Sequence, residues 1–167
     1  TGHCRARPEV TSNFANKWNF ITVLRKPEKR FVSEYIYNRY KSSSWLKNDS
    51  DILEYLDTEK AKSSCTTYAR FFSKFSAPEE ILAHKDEAID SAIENIENFA
   101  SVGVLEHLDS WKKQFNNKFG VNIKVSSKNT TPNNEQAQEI YNNNAVMDRI
   151  HELTEIDRTI YEAVLDK

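Results

Sequence analysis

Residues Asn19 to Leu24 read Asn-Phe-Ile-Thr-Val-Leu, and Arg25-Lys26-Pro27 follow at once. The β-branched run suits a short buried strand. Proline lacks an N–H and has a fixed φ, so Pro27 suits the first position of a helix, where no intrahelical bond is lost. Val32, Tyr35, Ile36, Arg39 and Tyr40 then recur at spacings of three and four, an amphipathic helix running to about Ser42. A strand that passes into a helix through so short a turn is the element around which an α/β architecture is expected. It also places free N–H groups and the positive end of a helix dipole at the carboxyl end of a strand. That is where open α/β sheets bind ligands, and Arg25 is expected there.

The charge pattern points to the same place. Residues 17–47 carry eight Lys/Arg against Glu28 and Glu34, whereas residues 48–110 carry five basic and fourteen acidic side chains. The net charge of −2 therefore hides a basic segment followed by an acidic one. A helix N-terminus in a basic segment is a ready anion site. Arg25 adds a planar fork of donors that matches phosphate oxygens, and Ser33, nearly two turns into the helix, adds a hydroxyl.

Further along, Asp49 to Leu56 starts with capping residues and reads as a short helix, as does Thr66 to Phe75 with its aromatic stripe. Ser76 to Glu79 is a turn into another helix, and Ala88, Ile89, Ala92, Ile93 and Ile96 mark a helical stripe over Lys85 to Phe99. Phe99 to Val104 is a second candidate strand, Leu105 to Phe119 a helix, and Gly120 its left-handed terminator. The alternation Val121-Asn-Ile-Lys-Val125 predicts a third strand. Ser126 to Asn134 reads as a polar loop. Glu135 to Tyr141 and Val146 to Val164 read as the closing helices, with Asn142-Asn143-Asn144 as a linker. The expectation is one α/β domain over residues 1–167 with a small parallel sheet and Asn19–Leu24 as its central strand.

Composition excludes several classes. With 38 % hydrophobic and 29 % charged residues the chain is neither a membrane protein nor a typical disordered one. The first residues contain no apolar signal core. Two cysteines, Cys4 and Cys65, rule out a disulfide scaffold or an all-cysteine zinc site, and are expected to be free thiols. Only Gly2, Gly103 and Gly120 occur, which excludes a glycine-rich phosphate loop within this stretch. His84, His107 and His151 stand at spacings unsuited to a metal. Trp18 and Trp111 read as packing residues. Asn48-Asp49-Ser50 and Asn129-Thr130-Thr131 are formal glycosylation acceptors. The negative total and the lack of a recognition motif argue against a nucleic-acid partner.

The stretch Phe20-Ile-Thr-Val-Leu-Arg25-Lys-Pro-Glu-Lys-Arg30-Phe-Val-Ser33-Glu-Tyr resembles the 3′-phosphate-binding motif of the Golgi-type carbohydrate sulfotransferases. The likeness is greatest to the heparan sulfate 6-O-sulfotransferases, with the uronyl 2-O-sulfotransferases related. Strand, Arg25, Pro27, Arg30 and Ser33 fall in register with that motif. Ala100-Ser-Val-Gly103-Val-Leu-Glu106, Asn129-Thr130-Thr131 and Leu153-Thr-Glu-Ile-Asp157-Arg-Thr-Ile-Tyr161 extend the resemblance. It implies a P-loop-NTPase-like three-layer domain, helix-rich, with a small parallel sheet. It also implies transfer of a sulfuryl group from 3′-phosphoadenosine 5′-phosphosulfate (PAPS) to a carbohydrate hydroxyl, with no metal.

On that resemblance Arg25, Arg30 and Ser33 hold the donor nucleotide, and Asn129, Thr130 and Thr131 line its site. His3, in a Gly-His segment like that of the 2-O-sulfotransferases, is the general base, a role that suits an imidazole. Trp45 and Tyr37 face the glycan acceptor. Two departures stand out. Lys26 replaces the aspartate usual in the motif, and the family's lysine-bearing 5′-phosphosulfate loop, with the first strand, lies upstream of the His segment at which this sequence begins. The expectation is therefore the C-terminal portion of a catalytic domain, joined to any membrane only through a segment outside this sequence. The alternative reading is a non-catalytic sulfotransferase-like module that keeps a nucleotide 3′-phosphate pocket.

Overall fold

The computed structural model describes residues 5–45, 47–125 and 133–165. Helix α1 (Pro8–Phe14) precedes strand β1 (Ile21–Leu24), which passes through Arg25 and Lys26 into α2 (Pro27–Tyr40). Helices α3 (Ile52–Leu56), α4 (Glu59–Cys65), α5 (Thr67–Phe72), α6 (Pro78–Ala83) and α7 (Lys85–Glu97) lead to β2 (Ser101–Val104). A 3₁₀ turn over Leu105–His107 enters α8 (Leu108–Phe119), and α9 (Asn134–Asn142), α10 (Asn144–Leu153) and α11 (Glu155–Leu165) follow. The architecture is mixed α/β and rich in helix. No described helix is long and apolar enough to cross a membrane.

Local sequence explains most boundaries. Pro27 opens α2 at its first turn, and Gly120 closes α8 with φ +63°. Side-chain oxygens of Asp51, Thr58, Asn133 and Asn143 accept amide N–H groups at the starts of α3, α4, α9 and α10, so the Asn142–Asn144 run is a helix junction with a cap in it. The expected single helix from Val146 to Val164 is two. At Thr154, fully buried, both the amide and the hydroxyl turn back to the Ile150 carbonyl, at 2.9 and 2.7 Å, and the chain changes direction.

The two strands pair in parallel, Ile21 opposite Ser101 and Leu24 opposite Val104. The expected third strand does not form among the described residues: 121–125 is irregular, with Val121 and Val125 about half exposed. The Asn116 side chain takes the Ile123 N–H at 3.0 Å, and an alternating pattern that buries no face has nothing to hold it as a strand. With only two strands in the described sheet, β1 is not central.

One apolar core joins the sheet to α5, α6, α7 and α11 through Leu24, Val104, Phe72, Ile81, Ile96 and Ile160. A second lies between α2, α3, α4, α9 and α10, around Phe31, Ile36, Leu56, Ile140 and Ile150. Trp111 of α8 is buried, its indole N–H bonded to Ser101 Oγ at 2.9 Å and its ring on Gly103. Trp18, by contrast, is 68 % exposed at the edge of an open cavity between α1 and α7, and the packing role expected for it is not found.

The two cores are joined by a buried carboxylate. Asp157 of α11, fully enclosed, accepts the Tyr68 and Ala69 amides at 2.9 and 3.1 Å and so caps α5, and its Oδ2 stands 4.0 Å from Arg30 of α2. Arg30 also bonds Glu34 at 2.7 Å and the Ser64 carbonyl, with the Tyr68 ring beneath its guanidinium. Burial pushes the Asp157 carboxyl up to about 7, against the pull of Arg30 and the α5 amides.

Two outcomes follow from this packing. Gly103→Ala drives a methyl group into the Trp111 ring and is expected to cost about 1–3 kcal/mol, read by urea denaturation with tryptophan fluorescence. For Asp157, the folded carboxyl keeps a proton that the unfolded chain releases near pH 3.8. Its contribution to stability is therefore complete below that value and is lost as pH rises through about 7. The stability difference between the parent and Asp157→Asn should shift against the parent across this window, and a flat difference would show that Asp157 ionises normally.

Candidate functional site

The turn between β1 and α2 is held from both sides. Tyr68 of α5 accepts the Arg25 N–H at 2.8 Å and donates its own hydroxyl proton to the Arg25 carbonyl at 2.5 Å. Burial pushes the Tyr68 phenol up to about 12, so it remains a donor at any neutral pH. On the other side Glu106, just beyond β2, accepts the Lys26 N–H at 3.1 Å and the Tyr161 hydroxyl at 3.0 Å. Lys26 supplies no side-chain cap to α2, and Glu106 provides from across the sheet the carboxylate that a residue at position 26 would otherwise bring.

These contacts fix the Arg25 backbone at the carboxyl end of β1, as the sequence predicts, and leave its guanidinium without a hydrogen bond or ion pair among the described residues. Beside it stand Tyr141 and Glu28: burial raises the Tyr141 phenol, while the Arg25 charge lowers it and the Glu28 charge raises it. Glu28 is buried, its Oε1 paired with Lys26 Nζ at 2.8 Å and 4.0 Å from His151 Nε2, and its Oε2 has no partner. The first-turn amides of α2 add the donors that helix geometry leaves open. Ser33, half-buried on the next turn, has a hydroxyl with no partner among the described residues.

The β1–α2 unit thus carries a free guanidinium, an unpaired hydroxyl and a helix N-terminus, the donor types that bind phosphate. Arg30 differs from the other two residues of the motif. Its guanidinium is turned inward to Glu34, Ser64, Asp157 and Tyr68, so its visible work is to hold α2 against α4, α5 and α11.

Trp45 and Tyr37 are both exposed, at 75 % and 54 %, and Lys41 Nζ lies over each ring, 5.6 and 5.9 Å from the centroids. They share one aromatic–cationic patch at the far end of α2 from Arg25. His3, Asn129, Thr130 and Thr131 lie outside the described residues. Among the described residues no group of three His, Cys, Asp or Glu could hold a metal ion. Cys65 is a buried free thiol whose ionisation burial pushes up. The Asn48 side chain of the first formal glycosylation acceptor is buried.

Sequence reasoning did not find Tyr68 or Glu106 as residues that position the turn. Tyr68 sits in an aromatic stripe that reads as packing, and its hydroxyl partner is 43 residues away. Glu106 belongs to a segment that marks a family likeness with no role attached. No protein-family model matches the chain, and neither a curated protein nor a solved structure matches it.

Proposed function

We propose that this chain carries the 3′-phosphate-binding half of a PAPS-dependent carbohydrate sulfotransferase with a P-loop-NTPase-like fold. The observation that supports it is the pairing of a free Arg25 guanidinium with a free Ser33 hydroxyl on the β1–α2 unit, while Arg30 in the same basic segment is engaged internally. In this reading Arg25 and Ser33 bind the 3′-phosphate of the donor, and Tyr68 is a positioning residue that holds the Arg25 backbone. Asn129, Thr130 and Thr131 line the nucleotide. Trp45 and Tyr37 offer flat faces to the acceptor sugar.

The reaction is a displacement at sulfur. An acceptor hydroxyl loses its proton to His3, its oxygen bonds the sulfur, and the bond to the bridging oxygen breaks. The electron pair stays on the 5′-phosphate of 3′-phosphoadenosine 5′-phosphate. A lysine from the upstream loop would stabilise that leaving charge.

Calorimetry tests the binding half directly. 3′-Phosphoadenosine 5′-phosphate should bind more tightly than adenosine 5′-phosphate. A hydrogen bond to a charged group contributes roughly 1.5–3 kcal/mol, so Arg25→Ala should weaken binding about ten- to a hundred-fold. Ser33→Ala should cost less, and Lys29→Ala should matter mainly at low salt. Equal affinity for the two nucleotides, or an Arg25→Ala protein that binds like the parent, overturns the reading. Nucleotide binding in a full-length chain that cannot transfer sulfate to any glycan would favour the non-catalytic module.

A second test isolates the positioning residue. Tyr68→Phe removes both bonds to Arg25 while leaving the guanidinium in place. It should lower stability by about 1–2 kcal/mol and weaken 3′-phosphate binding, with adenosine 5′-phosphate binding unchanged.

A further inference from the structure

A cavity of about 450 Å³ opens between the middle of α2, the chain at Asn48, and helices α3, α4 and α5. Apart from the aromatic Tyr55, charged, amide and hydroxyl residues line it, and their carbon stems make up much of the exposed wall. A wall of this kind suits a small ligand that has both a carbon skeleton and polar groups.

Its unsatisfied groups have one sign. Asn48 is 8 % exposed, and its carbonyl oxygen is fixed by the Ser50 N–H at 3.2 Å, leaving Nδ2 with no acceptor. Arg70 bonds the carbonyl and hydroxyl of Ser63 through Nη1, yet its Nε is buried and unpaired, and no carboxylate faces it as an ion pair. Burial lowers its pKa, and Arg5 lowers it further, so its charge is held at a cost. Lys60 on the same wall has no ion pair among the described residues. The two carboxylates of the wall are already engaged: Glu34 by Arg30 and Ser64, at 2.7 and 2.9 Å, and Glu59 by Lys62 at 2.7 Å. Two unpaired buried donors and an unpaired ammonium thus line this space beside the partly engaged Glu34 and Glu59, and two of the three donor groups are cationic.

We propose that this cavity is a second oxyanion site, distinct from the β1–α2 turn, which takes the sulfate, phosphate or carboxylate group of a small hydroxylated ligand against Asn48, Lys60 and Arg70. Arg70 supplies the Nε edge of its fork, Lys60 a mobile charge at the rim and Asn48 a fixed donor at the wall. Hydroxyls of Ser63 and Thr67 leave room for further polar contacts.

The proposal does not depend on the nucleotide assignment, and it is best tested in Arg25→Ala protein, where the first anion site is disabled. The side-chain ¹⁵N signals of Arg70 Nε and Asn48 Nδ2 are followed during titration with sodium sulfate, sodium phosphate, glucuronate and glucose, sodium chloride serving as the ionic-strength control. Both signals should move with the oxyanions and stay still with glucose and chloride. A tighter response to glucuronate than to inorganic sulfate shows that the hydroxylated skeleton is read with the oxyanion and supports the proposal, and an equal response shows that the site reads the oxyanion group alone and overturns its hydroxylated ligand.

Read at Asn48 Nδ2, Arg70→Lys, which keeps the charge and loses the fork, should weaken the response about tenfold, and Lys60→Ala by several-fold. No movement of either signal shows that water alone fills the cavity and overturns the proposal. So does a response that survives unchanged in both variants, because the ion then binds elsewhere.

Discussion

The buried carboxylate of Asp157 joins three helices that are far apart in sequence. It closes the amide end of α5, belongs to α11, and faces the guanidinium of Arg30 on α2. Removing two charges from water is costly unless geometry and hydrogen bonds repay it. Here the backbone amides, Arg30 and Glu34, which shares the Arg30 charge, offset only part of that cost, so the Asp157 carboxyl holds its proton up to about pH 7. The consequence is geometric. Because Asp157 fixes the start of α5, it fixes Tyr68, and Tyr68 fixes Arg25. The position of the candidate ligand-binding arginine is therefore set by a residue near the other end of the chain.

The neighbourhood of the α2 N-terminus shows how little of a basic segment is free charge. Lys26 pairs with Glu28, Arg30 with Glu34 and Asp157, and Lys41 covers Tyr37 and Trp45. Glu106 takes the Lys26 amide. What remains beside the exposed Lys17 and Lys29 is Arg25, held by its backbone only, and Ser33. A site of this kind gains selectivity from the internal ion pairs around it, since each occupied cation is one fewer place for an anion to bind without specificity.

Much of this was legible in the sequence because it is local. The β1–Pro27–α2 unit, the α7 stripe and the Gly120 cap each follow from residues within a few positions of one another. Helix α4 was not legible: Glu-Lys-Ala-Lys-Ser-Ser-Cys has no apolar period, and only the Thr58 cap and the docking of Ala61 and Cys65 make it a helix. Helix α1 likewise depends on a distant partner, the 2.6 Å bond from Thr11 to the buried Asn95 of α7. The alternation at Val121–Val125 misled for the opposite reason, since a correct local pattern found no edge to pair with. The same division holds at the site. Arg25 and Ser33 stand out in a motif, whereas Tyr68, Glu106 and Asp157 act through bonds that span 43, 80 and 89 residues.

The two-stranded sheet has a further consequence, for the order of folding. Residues Ile21 and Ser101 can meet only after the intervening helices have compacted, because closing so long a loop costs entropy before any strand contact offsets it. Helix pairs such as α9 with α10, and α6 with α7, need no such closure. The sheet thus carries a loop-closure cost that the local helix pairs do not. The Lys26–Glu106 bond spans the same gap, so the candidate anion site cannot exist in a partly folded chain. Without the pairing of β1 and β2 the basic segment lacks the Glu106 contact that holds the turn, so the geometry of the site depends on the closure of that long loop.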